Sequence, residues 1–333
     1  MAEGDFAASR HRTMLCREAP FLSAGTMKGL VWMIEYDRLN RRGKEKYLDK
    51  AVFAGRGLIR RGLLGTGTFS DVYWVEDAAD GRRYACKVSA QAEMLEGEAR
   101  VLESLEHPLY PEFVAFWKEA GLGILLREYV EGHSLEEMLK RRRFSAGQTV
   151  RVGLLLAEGL MYLHRLPEEL AFRDVKPANV IVTQDGGVRL IDLGCVCSMA
   201  AEVTSRAGSP GFAAPEQLRA GGRLTPSCDV YGLGKTLEAM LGEGHRVGDC
   251  RRQDAANGCG IALWRRKVPV YRRGRTGLQK AGQRWLPLRE LRMEQRLRRI
   301  LKACTEEDVE KRIADMEGVR CQLECFTKSG RSK

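Results

Sequence analysis

Between Leu58 and Glu128 the apolar residues fall in short strand-like runs, broken by the turn-forming clusters Ala79-Asp80-Gly81 and Gly121-Leu122-Gly123. One stretch, about Gln91 to Leu105, reads as a helix. The pattern predicts a β-rich region with a single main helix. From Ser134 onward helical signals dominate. Ser134-Leu135-Glu136-Glu137 and Ser145-Ala146-Gly147-Gln148 are both capping boxes, and Val152, Leu155, Leu156, Leu160 and Leu163 form an apolar stripe at helical spacing. Thr225-Pro226 supplies a cap followed by a proline suited to the first turn of another helix. The expected fold class is therefore α+β, with a β-rich lobe over about 56–128 and an α-rich lobe over about 132–326, joined at Val130-Glu131-Gly132.

A chain of 333 residues is long enough for two such lobes, each burying its own core. Hydrophobic residues at 44% and charged residues at 30% are ordinary for a globular protein. The most apolar stretch, Ala19 to Ile34, is interrupted by Lys28 and bounded by Glu18 and Glu35, so no membrane span is expected. Met1-Ala2-Glu3-Gly4-Asp5 lacks the basic start of a secretion signal, which predicts a cytoplasmic location. In that setting the ten cysteines, without a Cys-x-x-Cys pair, read as reduced thiols.

Charge changes the picture in one region. Gly244 to Ile300 holds sixteen Arg or Lys against four Asp or Glu, a net of +12, beside +11 for the whole chain. Trp264-Arg265-Arg266-Lys267 and Tyr271-Arg272-Arg273-Gly274-Arg275 interleave aromatics with arginine. We expect a basic insertion over about 244–288 and an acidic partner docked along 244–300, against the alternative of a solvated linker with no partner. Nothing there argues specific base readout, and nucleic acid stays open as a second class of anion. Residues 1–55 match no motif and are set apart as an extension, and 327–333 as a basic tail.

The chemistry concentrates in Phe172-Arg173-Asp174-Val175-Lys176-Pro177-Ala178-Asn179 and, thirteen residues beyond Asn179, Asp192-Leu193-Gly194. Phosphoryl transfer asks of a protein positioning, charge neutralisation and a base for the accepting hydroxyl. An aspartate, a lysine and two hard oxygen ligands for magnesium meet that need. This Asp-x-Lys-Pro-x-Asn spacing followed by Asp-x-Gly resembles the eukaryotic-type protein kinases, in particular their bacterial members, which often carry an aromatic where Phe172 stands.

The resemblance implies a bilobal kinase fold with ATP between the lobes, and it assigns roles. Asp174 would be the base, Lys176 would neutralise the migrating phosphate, and Asn179 and Asp192 would hold Mg2+, with Mn2+ as an alternative. Leu63-Leu64-Gly65-Thr66-Gly67-Thr68-Phe69-Ser70-Asp71-Val72 resembles the glycine-rich phosphate loop, with Ser70 in place of the third glycine. Tyr84-Ala85-Cys86-Lys87-Val88 resembles the strand whose lysine pairs with the α- and β-phosphates. Of Glu93, Glu96 and Glu98, counting back from His107-Pro108 makes Glu98 the expected partner of Lys87. Leu64, Gly65, Gly67, Ser70, Val72, Ala85, Lys87, Glu128 and Val130 would contact the nucleotide.

Gly208-Ser209-Pro210-Gly211-Phe212-Ala213-Ala214-Pro215-Glu216 resembles the end of the activation segment. Its Ser209 hydroxyl would bridge Asp174 and Lys176, and Glu216 would pair with Arg312. Asp229 would pin the catalytic loop, and Arg173 would bind a phosphate placed on Thr204 or Ser205. Cys195 and Cys197 admit a redox switch or, as plain packing, buried inert thiols.

Besides Ser70, three departures mark the chain: Phe172 for the family's histidine, Leu193 for its phenylalanine, and Arg127 where an apolar residue guards the back of the nucleotide site. The two apolar replacements are expected to be buried. Arg127 could pair with Glu98 or Asp192, turn outward, or belong to a strand shifted by one. Each motif alone has a structural reading, such as a plain turn for Gly65 and Gly67, but their order and spacing converge. The expected activity is a serine/threonine protein kinase acting on protein hydroxyls, with autophosphorylation. A nucleotide-binding pseudokinase scaffold and a small-molecule kinase of the aminoglycoside-phosphotransferase type are the alternatives.

Overall fold

Short alternating runs separated by turns favour antiparallel pairing, and five of them pair in that way in the computed structural model of the protein, which describes residues 36, 39–67, 69–200, 207–219, 224–242 and 288–329. The described residues divide into two compact units, one drawn from Met1–Leu105 and Pro111–Val130, the other from Glu106–Tyr110 and Glu131–Lys333.

The first unit opens with helix α1 (Arg41–Leu48), capped by Asn40 and continuing through a π-helical turn (Asp49–Phe53) and a 3-10 turn (Ala54–Arg56). Strands β1 (Leu58–Thr66), β2 (Ser70–Asp77) and β3 (Arg83–Ser89), helix α2 (Ala92–Ser104), and strands β4 (Phe113–Glu119) and β5 (Leu122–Glu128) follow. The sheet order is β1-β2-β3-β5-β4, antiparallel throughout. Residues alternate between its faces. Tyr73, Val75, Tyr84, Cys86, Val88, Ile124 and Leu126 build one core, and Leu48, Val52 and Phe53 of the leading segment belong to that same core. Asp49 accepts two bonds from Arg60 of β1, both at 2.8 Å, and the Arg56 guanidinium lies 4.3 Å from the centre of the Trp117 ring. The first unit thus begins upstream of Arg56.

The second unit begins with β6 (Gly132–Ser134), α3 (Leu135–Arg141) and α4 (Ala146–His164). Ser134 and Ser145 each close a complete capping box, and Val152, Leu156, Leu160 and Leu163 are buried while Leu155 is half-buried. Strands β7 (Leu170–Ala171), β8 (Val180–Thr183), β9 (Val188–Leu190) and β10 (Cys197–Ser198) form a three-stranded sheet ordered β6-β8-β9 and a small β7–β10 pair. Helices α5 (Ser227–Leu241), α6 (Leu288–Cys304) and α7 (Met316–Ser329) complete the unit, and α4 packs against all three. One unit is thus built on a five-stranded antiparallel sheet and the other mainly on helices, the expected α+β composition.

Among the described residues no helix is long and apolar enough to cross a membrane. Residues 1–35, the basic segment 244–287 and residues 330–333 of the tail lie outside the described residues.

Candidate active site

Antiparallel pairing of β8 with β9 brings the stretch before one strand beside the stretch after the other. Ile191 N–H donates to Asn179 O at 2.8 Å, so Asn179 and the residues leading to Asp192 share one end of the hairpin. Pro177 opens a 3-10 turn ending at Asn179. Arg173 (φ 68) and Asp192 (φ 74) both adopt left-handed backbone. For non-glycine residues that conformation costs on the order of 1–3 kcal/mol and persists only where surrounding bonds enforce it.

Arg173 has such bonds on both sides, its N–H on Asp229 at 2.7 Å and its carbonyl accepting from Gln217 Nε2 at 2.8 Å. Asp174 Oδ1 accepts the Ser209 N–H at 2.9 Å, and Oδ2 accepts Lys176 Nζ at 2.8 Å and Asn179 Nδ2 at 3.1 Å. Asn179 Nδ2 also donates to Asp174 O at 3.0 Å. Lys176 Nζ donates as well to Ser209 Oγ at 2.6 Å. The expected bridge therefore takes another form: the Ser209 hydroxyl meets the lysine, and the carboxylate takes the Ser209 backbone amide. With its amide nitrogen engaged, Asn179 offers a carbonyl oxygen and Asp192 a carboxylate, hard donors that fit magnesium. Asp192 Oδ1 accepts from Gly194 N at 3.4 Å.

A second layer holds the loop. Asp229, in the first turn of α5 and buried, accepts Phe172 N–H at 2.8 Å and Arg173 N–H at 2.7 Å, and lies 2.7 Å from His164 Nε2. Thr236 Oγ1 donates to Val175 O at 3.1 Å, and Gln217 Nε2 to Arg173 O at 2.8 Å. Sequence reasoning missed His164, Thr236 and Gln217. For Thr236 a signal existed: it stands seven residues after Asp229, on the same face of the helix.

Arg312 spreads its five N–H donors over the Glu216 carboxylate (2.5 and 3.1 Å) and the carbonyls of Glu306, Ser227 and Glu307 (2.8, 3.0 and 3.3 Å). Arg173 is buried and its Nη1 donates to Cys197 Sγ at 3.4 Å. Phe172 and Leu193 are both buried. Burial, with the Asp174 and Asp192 carboxylates nearby, pushes the Cys195 thiol up to about 11, which keeps it protonated and poorly nucleophilic. Thr204 and Ser205 lie outside the described residues.

In the first unit, Lys87 Nζ meets Glu98 Oε2 at 2.7 Å, both side chains buried. The other two carboxylates are taken by Lys118, from Glu93 at 2.6 Å and Glu96 at 2.8 Å, and bonds from Lys118 and Arg100 hold the Glu96 carboxyl down to about 2. The turn between β1 and β2 closes with Gly67 N–H on Ser70 O at 2.7 Å, and an added Cβ at Gly67 would lie 3.3 Å from that oxygen. Leu64 and Gly65 are exposed there. Val72 stands opposite Lys87 across the ladder, and Ala85 opposite Arg127. Glu128 and Val130 are half-buried, and the Glu128 N–H donates to Glu112 O at 2.9 Å. Arg127 is 5% exposed, so it does not turn outward. Ladder alternation puts it on the sheet face that carries Lys87.

The first unit thus holds a buried lysine–glutamate pair, and the second a carboxylate–lysine–hydroxyl cluster. The chain matches the protein kinase domain model over residues 59–322 and belongs to the protein kinase family. It is 30% identical over 211 residues to serine/threonine-protein kinase pkn2 of Myxococcus xanthus, covering 58% of this chain and 25% of that one. It is 31% identical over 232 residues to a putative receptor-like protein kinase of Arabidopsis thaliana, covering 64% and 51%. To the cAMP-dependent protein kinase catalytic subunit PRKX of Homo sapiens it is 28% identical over 187 residues, covering 54% and 51%. The chain thus spans between a quarter and about half of these relatives.

Proposed function

We propose that the chain is an ATP-dependent serine/threonine protein kinase. The observation that carries this reading is the contact of Lys176 with both Asp174 (2.8 Å) and Ser209 (2.6 Å), a base, a cation and a hydroxyl-bearing acceptor segment in one cluster. Asp174 accepts the proton of a protein serine or threonine hydroxyl as that oxygen attacks the γ-phosphorus, and Lys176 neutralises charge on the migrating group. Lys87, oriented by Glu98, takes the α- and β-phosphates. Leu64, Gly65, Gly67, Ser70, Val72, Ala85, Glu128 and Val130 complete the nucleotide contacts. Asn179 and Asp192 hold Mg2+ (or Mn2+), which supplies charge neutralisation at the phosphate oxygens.

Glu216 with Arg312 shapes a segment for protein acceptors, which favours this reading over a small-molecule kinase. The buried Arg127 on the face of Lys87 is the observation that favours the second reading, a nucleotide-binding pseudokinase scaffold. Autophosphorylation falls on Thr204 or Ser205, with Arg173 as the phosphate's partner. The basic segment 244–300 docks an acidic partner, and Arg292, Arg296, Arg299 and Lys302 lie exposed at and beyond its described end.

The test compares wild type, Lys87→Met and Asp174→Asn with labelled Mg-ATP, followed by phosphate mapping. Asp174→Asn should lose on the order of 10²–10⁴ in rate. Equal incorporation by all three proteins would overturn the reading, and label in a small acceptor instead of protein would favour the small-molecule alternative. An active enzyme without phosphate between Cys195 and Arg206 would remove the autophosphorylation part alone.

A further inference from the structure

We propose that Gln217 is a positioning residue for phosphoryl transfer, its side-chain amide clamping the peptide ahead of Asp174 to the segment that carries Ser209. The inference rests on the kinase reading and deepens it.

Gln217 sits in the 3-10 turn Pro215–Leu218 and is 1% exposed. A buried amide has two donors and an acceptor to satisfy. Here Nε2 donates to Arg173 O at 2.8 Å and to Ala207 O at 3.3 Å, while Oε1 accepts from Ala214 N at 3.0 Å. Reversing the amide would set its oxygen against two carbonyls and its nitrogen against an N–H. Only one orientation is therefore stable.

The two carbonyls belong to strategic peptides. The first joins Arg173 to Asp174, and Arg173 holds a left-handed φ of 68°. Asp229 fixes the peptide before Arg173, through its N–H, and Gln217 fixes the one after it. The second carbonyl, that of Ala207, precedes Gly208, whose φ is 114°. A Cβ at Gly208 would come within 2.7 Å of Ala213 Cβ and 3.0 Å of Arg173 O, so these two stretches of backbone already touch. Gly208 leads directly into Ser209, whose N–H meets Asp174 and whose hydroxyl meets Lys176. One amide thus closes a ring through Arg173, Asp174, Ser209 and Ala207. Release it, and the carboxylate can move relative to the acceptor segment. A displacement of about 1 Å between reacting groups costs on the order of 10² in rate.

Gln217→Met keeps the length and most of the volume but removes all three bonds. In the full chain, with Mg-ATP and a serine/threonine peptide library, kcat should fall on the order of 10–100-fold while KM for ATP stays within about twofold. Hydrogen exchange should quicken by about tenfold or more in 172–175 and 207–214, with α5 unchanged. A kcat within about twofold of wild type overturns the proposal, as does a loss that merely tracks faster exchange everywhere. Should the wild type transfer no phosphate, the kinase reading falls and exchange alone judges the clamp: quickening confined to the two segments supports it, unchanged exchange overturns it. If Gln217→Met does not fold, Gln217→Glu carries the same expectations, since it keeps the acceptor for Ala214 and sets an oxygen against both carbonyls.

Discussion

Arg312→Met should be among the most destabilising single changes in the second unit. The Arg312 side chain is 0% exposed and its partner Glu216 12%, so neither charge is well solvated. Its five N–H groups reach two carboxylate oxygens and three backbone carbonyls, and the guanidinium lies 5.0 Å from the centre of the Tyr231 ring. Removing one member of such a pair costs about 3–5 kcal/mol, because the other is left uncompensated. At about 2–4 °C per kcal/mol for a unit of this size, the unfolding midpoint should drop by about 6–20 °C. Calorimetry and urea titration of wild type, Arg312→Met, Glu216→Met and the double variant give a complete cycle. The double variant should lose less than the sum of the singles, since it leaves no lone buried charge. It should not regain wild-type stability, because the carbonyls of Ser227, Glu306 and Glu307 lose their donor. Additivity within about 0.5 kcal/mol, or a loss below about 1 kcal/mol for Arg312→Met, would refute the argument.

Three further outcomes follow from other parts of the molecule. Phe53→Ala should cost about 3–5 kcal/mol, read as a lower urea midpoint, because Phe53 is 1% exposed in the core of the first unit; an unchanged midpoint would mean the leading segment is dispensable. Asp229→Ala orphans the N–H groups of Phe172 and Arg173, at about 1–3 kcal/mol each, and should slow phosphotransfer and lower the second unit's melting point together; activity at the wild-type level counts against the pinning role. His107 contributes a pH dependence near neutrality: burial lowers its pKa from the ordinary 6.5, against the opposing pull of Glu158, and its Nδ1 accepts the Leu109 N–H, which only the neutral ring can do. The unfolded chain then binds the proton more readily. Stability is full above about 6.5 and is lost as pH falls toward the lowered folded value, so His107→Asn should flatten the dependence between about pH 7 and pH 5, and an unchanged slope would exclude His107 as its source.

Local features were legible because their causes lie within a few residues. The capping boxes at Ser134 and Ser145, the helix over Ala92–Ser104, the turns at Gly81 and Gly121 and the Asp-x-Lys-Pro-x-Asn loop all follow from neighbouring side chains and backbone preferences. The switch in hydrophobic period along the chain likewise marks where strands give way to helices, whereas the grouping of Glu106–Tyr110 with the second unit depends on contacts the pattern does not show. Spacing also ranked Glu98 above Glu93 and Glu96, yet only the packing of α2 on the sheet sends one carboxylate to Lys87 and two to Lys118.

What tertiary structure alone decided depends on contacts between distant residues. The leading segment carries no motif, yet Leu48, Val52 and Phe53 enter the first core, because apolar side chains are chosen by the surface they meet and not by their neighbours in sequence. Arg127 reads as an anomaly in the sequence and becomes a buried residue of β5 once its ladder is formed. His164, Gln217 and Thr236 look like ordinary polar residues until the fold brings them to Asp229, Arg173 and Val175, 65, 44 and 61 positions away. Buried backbone groups must find partners, and which side chain supplies them is settled by proximity in three dimensions.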